Sequence, residues 1–193
     1  MIELLRSTIN NGKIHEDMDN QINWQAYLTK SVQDINSYNE KIKSDDSSSS
    51  NSDDNSNHGS PIVAIGCNAD SGVFKGQFED LSILNEASSL PIFYNDFVIY
   101  VYQLLKAKTC GAHVVKLLAS ILTIQDINYM NKIALSLGIT CVVVVSSKNQ
   151  LIEVINEVQG LQAISVTSRN MRIWKVMTYI HIYSIQNCFD DKK

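Results

Sequence analysis

From residue 61 onward, short apolar runs alternate with longer amphipathic segments, and this alternation constrains the fold more than any other feature. The apolar runs predict strands at 61–66, 91–95, 113–118, 139–145 and 161–166. The segments between them predict helices at 78–84, 100–109, 123–137 and 148–158. Continuously apolar strands separated by helices indicate a parallel sheet covered on both faces. Periodicity alone leaves two architectures open, a (β/α) barrel and an open doubly wound sheet.

The length of the chain limits how much of such a fold can be present. Its 193 residues are enough for one domain with a sizeable core. A complete (β/α)8 barrel typically takes about 250 residues, and the first continuous apolar run begins only at residue 61. We therefore predict a partial (β/α)8, TIM-barrel-like domain of about five parallel βα units over residues 61–176. A C-terminal tail, 177–193, follows this domain.

The N-terminal segment, residues 1–43, predicts one amphipathic helix over 22–43. Its apolar positions recur near helical spacing and are Trp24, Leu28, Ile35, Tyr38 and Ile42. Two interpretations are open: the helix packs on its own domain, or it binds a partner.

Residues 44–60 form a tract of serine, aspartate and asparagine that separates this helix from the predicted domain. Such side chains bury too little apolar area to offset the entropy of an ordered chain. We therefore predict a disordered linker, and the acid-flanked serines leave a phosphorylated regulatory segment as the alternative.

Charge and hydropathy exclude several classes of partner. The net charge of -4 and a charged fraction of 19% argue against a nucleic-acid-binding surface. No apolar run approaches the roughly 20 residues of a membrane span, so we expect no membrane partner. The N-terminus has no apolar signal core, and Glu3, Glu16 and Asp17 oppose a transit peptide. We expect a soluble intracellular protein, with a plastid location open if the natural precursor is longer.

Cysteine and histidine spacing predicts neither a metal site nor a cofactor. The cysteines are far apart, without a CxxC pair, at Cys67, Cys110, Cys141 and Cys188. We expect these cysteines to be small, buried apolar residues of a protein in a reducing compartment, since their spacing supports neither a nucleophilic nor a zinc-binding role. The histidines, His15, His58, His113 and His181, form no pair at helical spacing.

Two segments carry a resemblance to a known family. Residues 74–81 read FKGQFEDL, and residues 90–97 read LPIFYNDF. Together they resemble the third-strand region of indole-3-glycerol phosphate synthase, the (β/α)8-barrel lyase of tryptophan synthesis, which usually writes the second segment LPVLRKDF. Further segments resemble family segments and follow one another in the same order as in the family. They are residues 101–103 together with 111–112, then 121–123, 137–139 and 165–171. The resemblance covers residues 72–175 and implies a TIM barrel, with the helix at 22–43 as a candidate for the family's extra N-terminal helix.

The resemblance also implies a site in which family residues are replaced. The lysine that serves the family as general acid falls at Asn95, and an amide cannot transfer a proton at neutral pH. The family's strand-five glutamate falls at Val144, and the asparagine after strand six falls at Thr167. Arg169 is retained, for which the resemblance implies structural or binding support.

Lys116 lies in the middle of a predicted strand, where the family has leucine. A lysine turned toward the outer helices would be buried without a partner, which is costly. Turned toward the barrel interior, it would lie beside Asn95 as a relocated cation. The other interpretation is that its stem snorkels to the strand end.

The family's strand-one Glu-x-Lys segment, its Ser-Pro-Ser phosphate loop and its strands seven and eight find no match by sequence. Each lost acid/base role is worth roughly 10²–10⁴-fold in rate. The resemblance thus implies an indole-3-glycerol phosphate synthase-like protein that lacks catalytic activity. Two alternatives stay open: residual carboxy-lyase activity through Lys116, and a protein-interaction module built on a degenerate barrel. Open barrel edges predict self-association or a protein partner.

Overall fold

The computed structural model describes residues 1–4, 7–8, 12–13, 21–48, 59–167, 169–170 and 175–176. The first elements are β1 (Ile2–Leu4), β2 (Ser7–Thr8), β3 (Gly12–Lys13) and α1 (Gln21–Ser48). Four βα units and a further strand follow, namely β4 (Ile65–Cys67), α2 (Phe78–Ala87), β5 (Ile92–Tyr94), α3 (Val101–Thr109), β6 (Val114–Leu118), α4 (Ile124–Ser136), β7 (Thr140–Val145), α5 (Lys148–Glu157) and β8 (Ala163–Val166). The last described strands are β9 (Arg169–Asn170) and β10 (Lys175–Val176).

One six-stranded sheet holds its strands in the order β1-β4-β5-β6-β7-β8. The pairs β1·β4, β4·β5 and β7·β8 are parallel, whereas β2·β3 and β9·β10 are separate antiparallel ribbons. The five predicted strands correspond to β4 through β8, and the four helices predicted between them correspond to α2 through α5. The predicted α/β class, with successive βα units as in a TIM barrel, is confirmed.

Within the six-stranded sheet, β1 is the strand that the sequence did not indicate. Its three residues pair with β4 in parallel register, with Ile2 opposite Ile65 and Leu4 opposite Cys67. The expectation that the sheet begins after residue 60 is therefore wrong. A run of three residues is too short for a period-two pattern to be recognised, and its strand conformation depends on the edge that β4 provides.

The chain divides into two compact units. The first comprises Met1–Asp96 with Lys106–Val114, and the second comprises Phe97–Leu105 with Val115–Lys193. The first unit contains β1, β4, β5, α1 and α2; the second contains β7, β8, α4, α5 and most of β6.

Helix α1 packs against α2 through a stripe of apolar side chains. The fully buried members are Trp24, Leu28, Val32 and Ile35, spaced at three or four residues. Tyr38, predicted on the same face, is exposed instead, and its hydroxyl donates to the Ser60 carbonyl at 3.4 Å. The helix continues to Ser48, so 44–48 of the predicted linker are helical, while 49–58 lie outside the described residues.

The chain entering β4 is attached to α1 by one side chain. The Asn39 amide nitrogen donates to the Ile62 carbonyl at 2.8 Å, and its oxygen accepts from the Ile62 N–H at 2.8 Å. Asn39 therefore satisfies both backbone groups of Ile62, much as a neighbouring strand would.

In the second unit, side chains of α4 fix the turn that leads into β8. Helix α4 begins with a capping box, in which the Thr123 hydroxyl accepts from the Asp126 N–H at 3.2 Å. Further along the helix, Asn128 Nδ2 donates to the Glu157 carbonyl at 2.6 Å, and Asn131 Nδ2 donates to the Gln159 carbonyl at 2.8 Å. The two asparagine contacts attach α4 to the segment that precedes β8.

Candidate functional site

In the first unit, one face of the sheet carries polar side chains at the strand ends. Glu3, Gly66 and Phe93 lie opposite one another across β1, β4 and β5. Their neighbours Leu4, Cys67 and Tyr94 are buried. Because side chains alternate along a strand, Glu3 points away from that buried row.

Asn95 directly follows β5 and is held on both sides. Its side-chain amide donates a hydrogen bond to the Glu3 carboxylate. Its backbone carbonyl accepts from Asn68 Nδ2 at 2.5 Å, and its N–H donates to the Cys67 carbonyl at 3.0 Å. The position is thus fixed by three contacts within the same unit.

Buried polar groups surround this strand end. The carboxylate of Asp96 accepts from the Ala69 N–H at 3.0 Å and is almost fully buried. Asn68 is 4% exposed, and no donor among the described residues reaches its Oδ1. A Cβ at Gly76 would overlap the Asn68 carbonyl, so only glycine lets the loop close there. The strand end is therefore rich in hydrogen-bond acceptors.

In the second unit, Val144 lies on β7 opposite Ser165 on β8. Val144 is 9% exposed, and the Thr167 N–H donates to the Val145 carbonyl at 2.9 Å. Thr167, which directly follows β8, is thus hydrogen-bonded to the residue next to Val144 on β7. Neither side chain can act as an acid or base at neutral pH.

Lys116 is partly buried and lies between two fully buried neighbours on β6, Val115 and Leu117. Alternation therefore places its side chain on the sheet face opposite to theirs. Its Nζ lies 5.8 Å from the centroid of the Phe97 ring, within the range of a cation–π contact. Asn95 belongs to the first unit, so the predicted proximity of Lys116 to Asn95 stays a prediction.

Arg169 begins β9, opposite Val176 of β10, and its side chain lies outside the described residues.

Cys141 is fully buried, and burial raises the pKa of its thiol to about 12. Such a thiol stays neutral and is a poor nucleophile.

Within the described ranges, the structure has no cluster of histidine, cysteine, aspartate or glutamate side chains that could hold a metal ion. Likewise, no described helix is both long and apolar enough to pass through a membrane.

Successive βα units, with the candidate side chains at or just beyond the carboxyl ends of strands, define a TIM-barrel-like protein. The family model of indole-3-glycerol phosphate synthase matches residues 20–180. The chain therefore belongs to the indole-3-glycerol phosphate synthase family, a family of tryptophan biosynthesis.

Individual relatives match a shorter part of the chain. The indole-3-glycerol phosphate synthase of Rippkaea orientalis is 35% identical over 107 residues, which are 55% of this chain and 36% of the relative. The indole-3-glycerol phosphate synthase of Microcystis aeruginosa is 36% identical over 107 residues, which are again 55% of this chain and 36% of the relative. That of Trichodesmium erythraeum is 39% identical over 103 residues, 53% of this chain and 34% of the relative. The match thus spans about a third of these relatives' length.

Glu3 is the site residue that sequence reasoning missed. It lies on β1, the edge strand that pairs with β4 and that the sequence did not indicate. The alternation of Ile2, Glu3 and Leu4 was the available signal, but it extends over too few residues to be distinctive.

Proposed function

We propose that this chain is a catalytically silent member of the indole-3-glycerol phosphate synthase family. The observation that carries the proposal is Asn95 at the position of the family's lysine acid. Its amide is engaged with the Glu3 carboxylate, and its backbone is bonded to Asn68. A hydrogen-bonded amide can orient a substrate but cannot give the ketone a proton.

The second acid/base position supports the same conclusion. Val144 stands where the family has a glutamate, and it is buried beside β8. Each such role contributes roughly 10²–10⁴-fold to the rate. Losing both removes most of the rate enhancement that acid/base chemistry supplies.

The charges around the strand end also oppose the family's anionic, phosphate-bearing substrate. Glu3 places a carboxylate beside Asn95, and Asn95 supplies no cation where the resemblance places the family's lysine. An anionic substrate placed here meets net negative charge, which weakens its binding.

The test is turnover by the purified chain with the family's anthranilate-derived ribulose phosphate as substrate. The synthase of Trichodesmium erythraeum serves as the positive control. We expect no indole product above the rate of a heat-denatured sample. Steady turnover that tracks the folded protein through gel filtration would contradict the proposal.

Residual activity through Lys116 is the second candidate function. Its Nζ lies over the Phe97 ring, on the strand face opposite the fully buried Val115 and Leu117. A cation there is a candidate substitute acid. If the unmodified chain turns over, Lys116→Met should abolish turnover and Lys148→Met, at an exposed position, should not.

A further inference from the structure

Helix α1 ends in a segment whose charges are unfavourable for the end of a helix. Ser44 is followed directly by Asp45 and Asp46, and the helix continues through them to Ser48 with no basic residue in its last turn. The C-terminal end of a helix carries a partial negative charge, so acidic residues there destabilise it. Serine and aspartate are also weaker helix formers than alanine or leucine. By these local criteria, the last turns of α1 are only marginally stable.

Ser44 is an exposed serine in an acidic segment. Its hydroxyl donates to the Lys41 carbonyl at 2.7 Å. Residues 44–60 contain four aspartates and neither lysine nor arginine. An enzyme that acts on Ser44 therefore needs a basic groove to receive the residues that follow it.

Ser136 has the same local geometry as Ser44 without the acidic residues. It is exposed at the end of α4, and its hydroxyl donates to the Ile133 carbonyl at 2.7 Å. The residues that follow it are Leu137 and Gly138. The acidic flank is thus what distinguishes Ser44 from a serine in matching geometry.

The turns just before Ser44 hold the chain that leads into β4. Gly59 packs so closely on Tyr38 that a Cβ there would overlap the tyrosine hydroxyl. Asn39 binds both backbone groups of Ile62. Ser44 lies only five residues after Asn39, which is less than one and a half helical turns. Unwinding that starts at Ser44 therefore reaches the attachment of the chain entering β4.

We propose that Ser44 is a phosphorylation site for an acid-directed serine kinase, and that its phosphate unwinds the last turns of α1 and loosens the chain entering β4. The reaction transfers the γ-phosphoryl group of a nucleoside triphosphate. A bond forms between Ser44 Oγ and the γ-phosphorus, the bond from that phosphorus to the bridging oxygen of the β-phosphate breaks, and the nucleoside diphosphate leaves. The hydroxyl proton passes to the catalytic base of the kinase. The inference goes beyond the proposed function and does not depend on it.

The charge of the phosphate determines the direction of its effect on the helix. A phosphoserine adds roughly 1.5 to 2 negative charges at neutral pH. Glu40, four residues before Ser44, and Lys41, three residues before it, are helical neighbours of opposite sign whose effects largely cancel. The phosphate is then repelled by the helix dipole and by the two aspartates that follow, which favours the unwound state.

The first experiment tests the site. The full chain is incubated with magnesium ATP and a kinase that phosphorylates casein beside acidic residues, and a parallel sample receives a kinase that requires basic residues. Fragment-ion mass spectrometry should place phosphate on Ser44 in the first sample alone, and Ser136 should stay unmodified in both. Asp45→Asn with Asp46→Asn should slow the reaction at Ser44 by roughly tenfold. No phosphate on Ser44, or an equal rate in this variant, would overturn the assignment.

The second experiment tests the effect of the phosphate. Amide hydrogen exchange is compared between the phosphorylated and the unmodified full chain. We expect exchange at residues 44–48 and at Ile62 to be faster by roughly three- to tenfold after phosphorylation. Ser44→Asp should show part of this acceleration, whereas Ser44→Asn, a neutral control of similar shape to aspartate, should show little. Unchanged exchange at either place in the phosphorylated chain would overturn the proposed effect.

Discussion

The side chain of Asn95, at the end of β5, donates a hydrogen bond to the carboxylate of Glu3 on the edge strand β1. This contact joins two residues that are 92 positions apart in the chain. It brings together a carboxylate on the edge strand and the amide that directly follows β5. The carboxylate is thus satisfied by a neutral donor at this position.

Asn95→Asp should destabilise the first unit by about 1 kcal/mol at neutral pH, since it replaces the donor with a second carboxylate facing Glu3. The repulsion should weaken at 1 M salt, because both side chains are accessible to counterions. Urea unfolding at low and high salt measures both effects. Asn95→Ser is the control that removes the amide without adding charge, and an equal salt response in both variants would contradict the argument.

Val144→Glu should cost roughly 2–4 kcal/mol of folding stability, because it places a carboxylate at a buried position. Combined with Asn95→Lys, it restores both family side chains. We expect turnover to stay about a thousandfold or more below the Trichodesmium synthase, because the substrate phosphate still lacks the family's loop. Activity close to that of the synthase in the folded double variant would show that the phosphate site has been misjudged.

Asn39→Ala should lower the free energy of unfolding by about 1–2 kcal/mol, because it removes both hydrogen bonds to Ile62. Amide hydrogen exchange at Ile62 should accelerate at the same time. Tyr38→Phe on the same helix removes only the long bond to Ser60 and should change little. Unchanged exchange at Ile62 in the Asn39 variant would rule out this attachment.

Cys141 should resist alkylation in the folded protein. Burial raises the pKa of its thiol from 9.0 to about 12, so iodoacetamide near pH 8.5 should modify it only after unfolding in urea. The partly exposed Cys110 is the internal control. The same shift predicts a loss of stability as pH rises from 9 towards 12, because only the unfolded thiol ionises in that window. Rapid modification of Cys141 in the native protein would contradict this account.

Strands β6 to β8 and helices α2 to α5 could be predicted because each combines enough residues for a clear period with a terminating signal. The three-residue strands β4 and β5 could be predicted because each lies within a longer apolar run. Gly111 and Gly138, both at positive φ, follow α3 and α4 and mark two of those ends. The C-terminal end of α1 could not be predicted, because residues 44–58 contain no glycine or proline that would end a helix. The exposure of Tyr38 depends on where α2 lies, and helical spacing alone does not determine that.

The candidate site was predictable only in part. Asn95, Val144 and Thr167 could be located because each lies within or just after a strand that the sequence reveals. The pairing of Asn95 with Glu3 could not, because it depends on β1, whose three residues form a strand only against β4. The contact between Lys116 and Phe97 depends on the path of the loop after β5, which the sequence leaves open.

The parallel pairing of Ile2 with Ile65 has a consequence for the order of events during synthesis. β1 leaves the ribosome before β4, and this hydrogen-bonding partner is made only after the whole of α1. α1, which is 28 residues and about 42 Å long, can form earlier because its contacts are local. Residues 2–4 therefore lack β4 as a partner until Cys67 has emerged, and chaperones would encounter β1 as an unprotected strand during that interval.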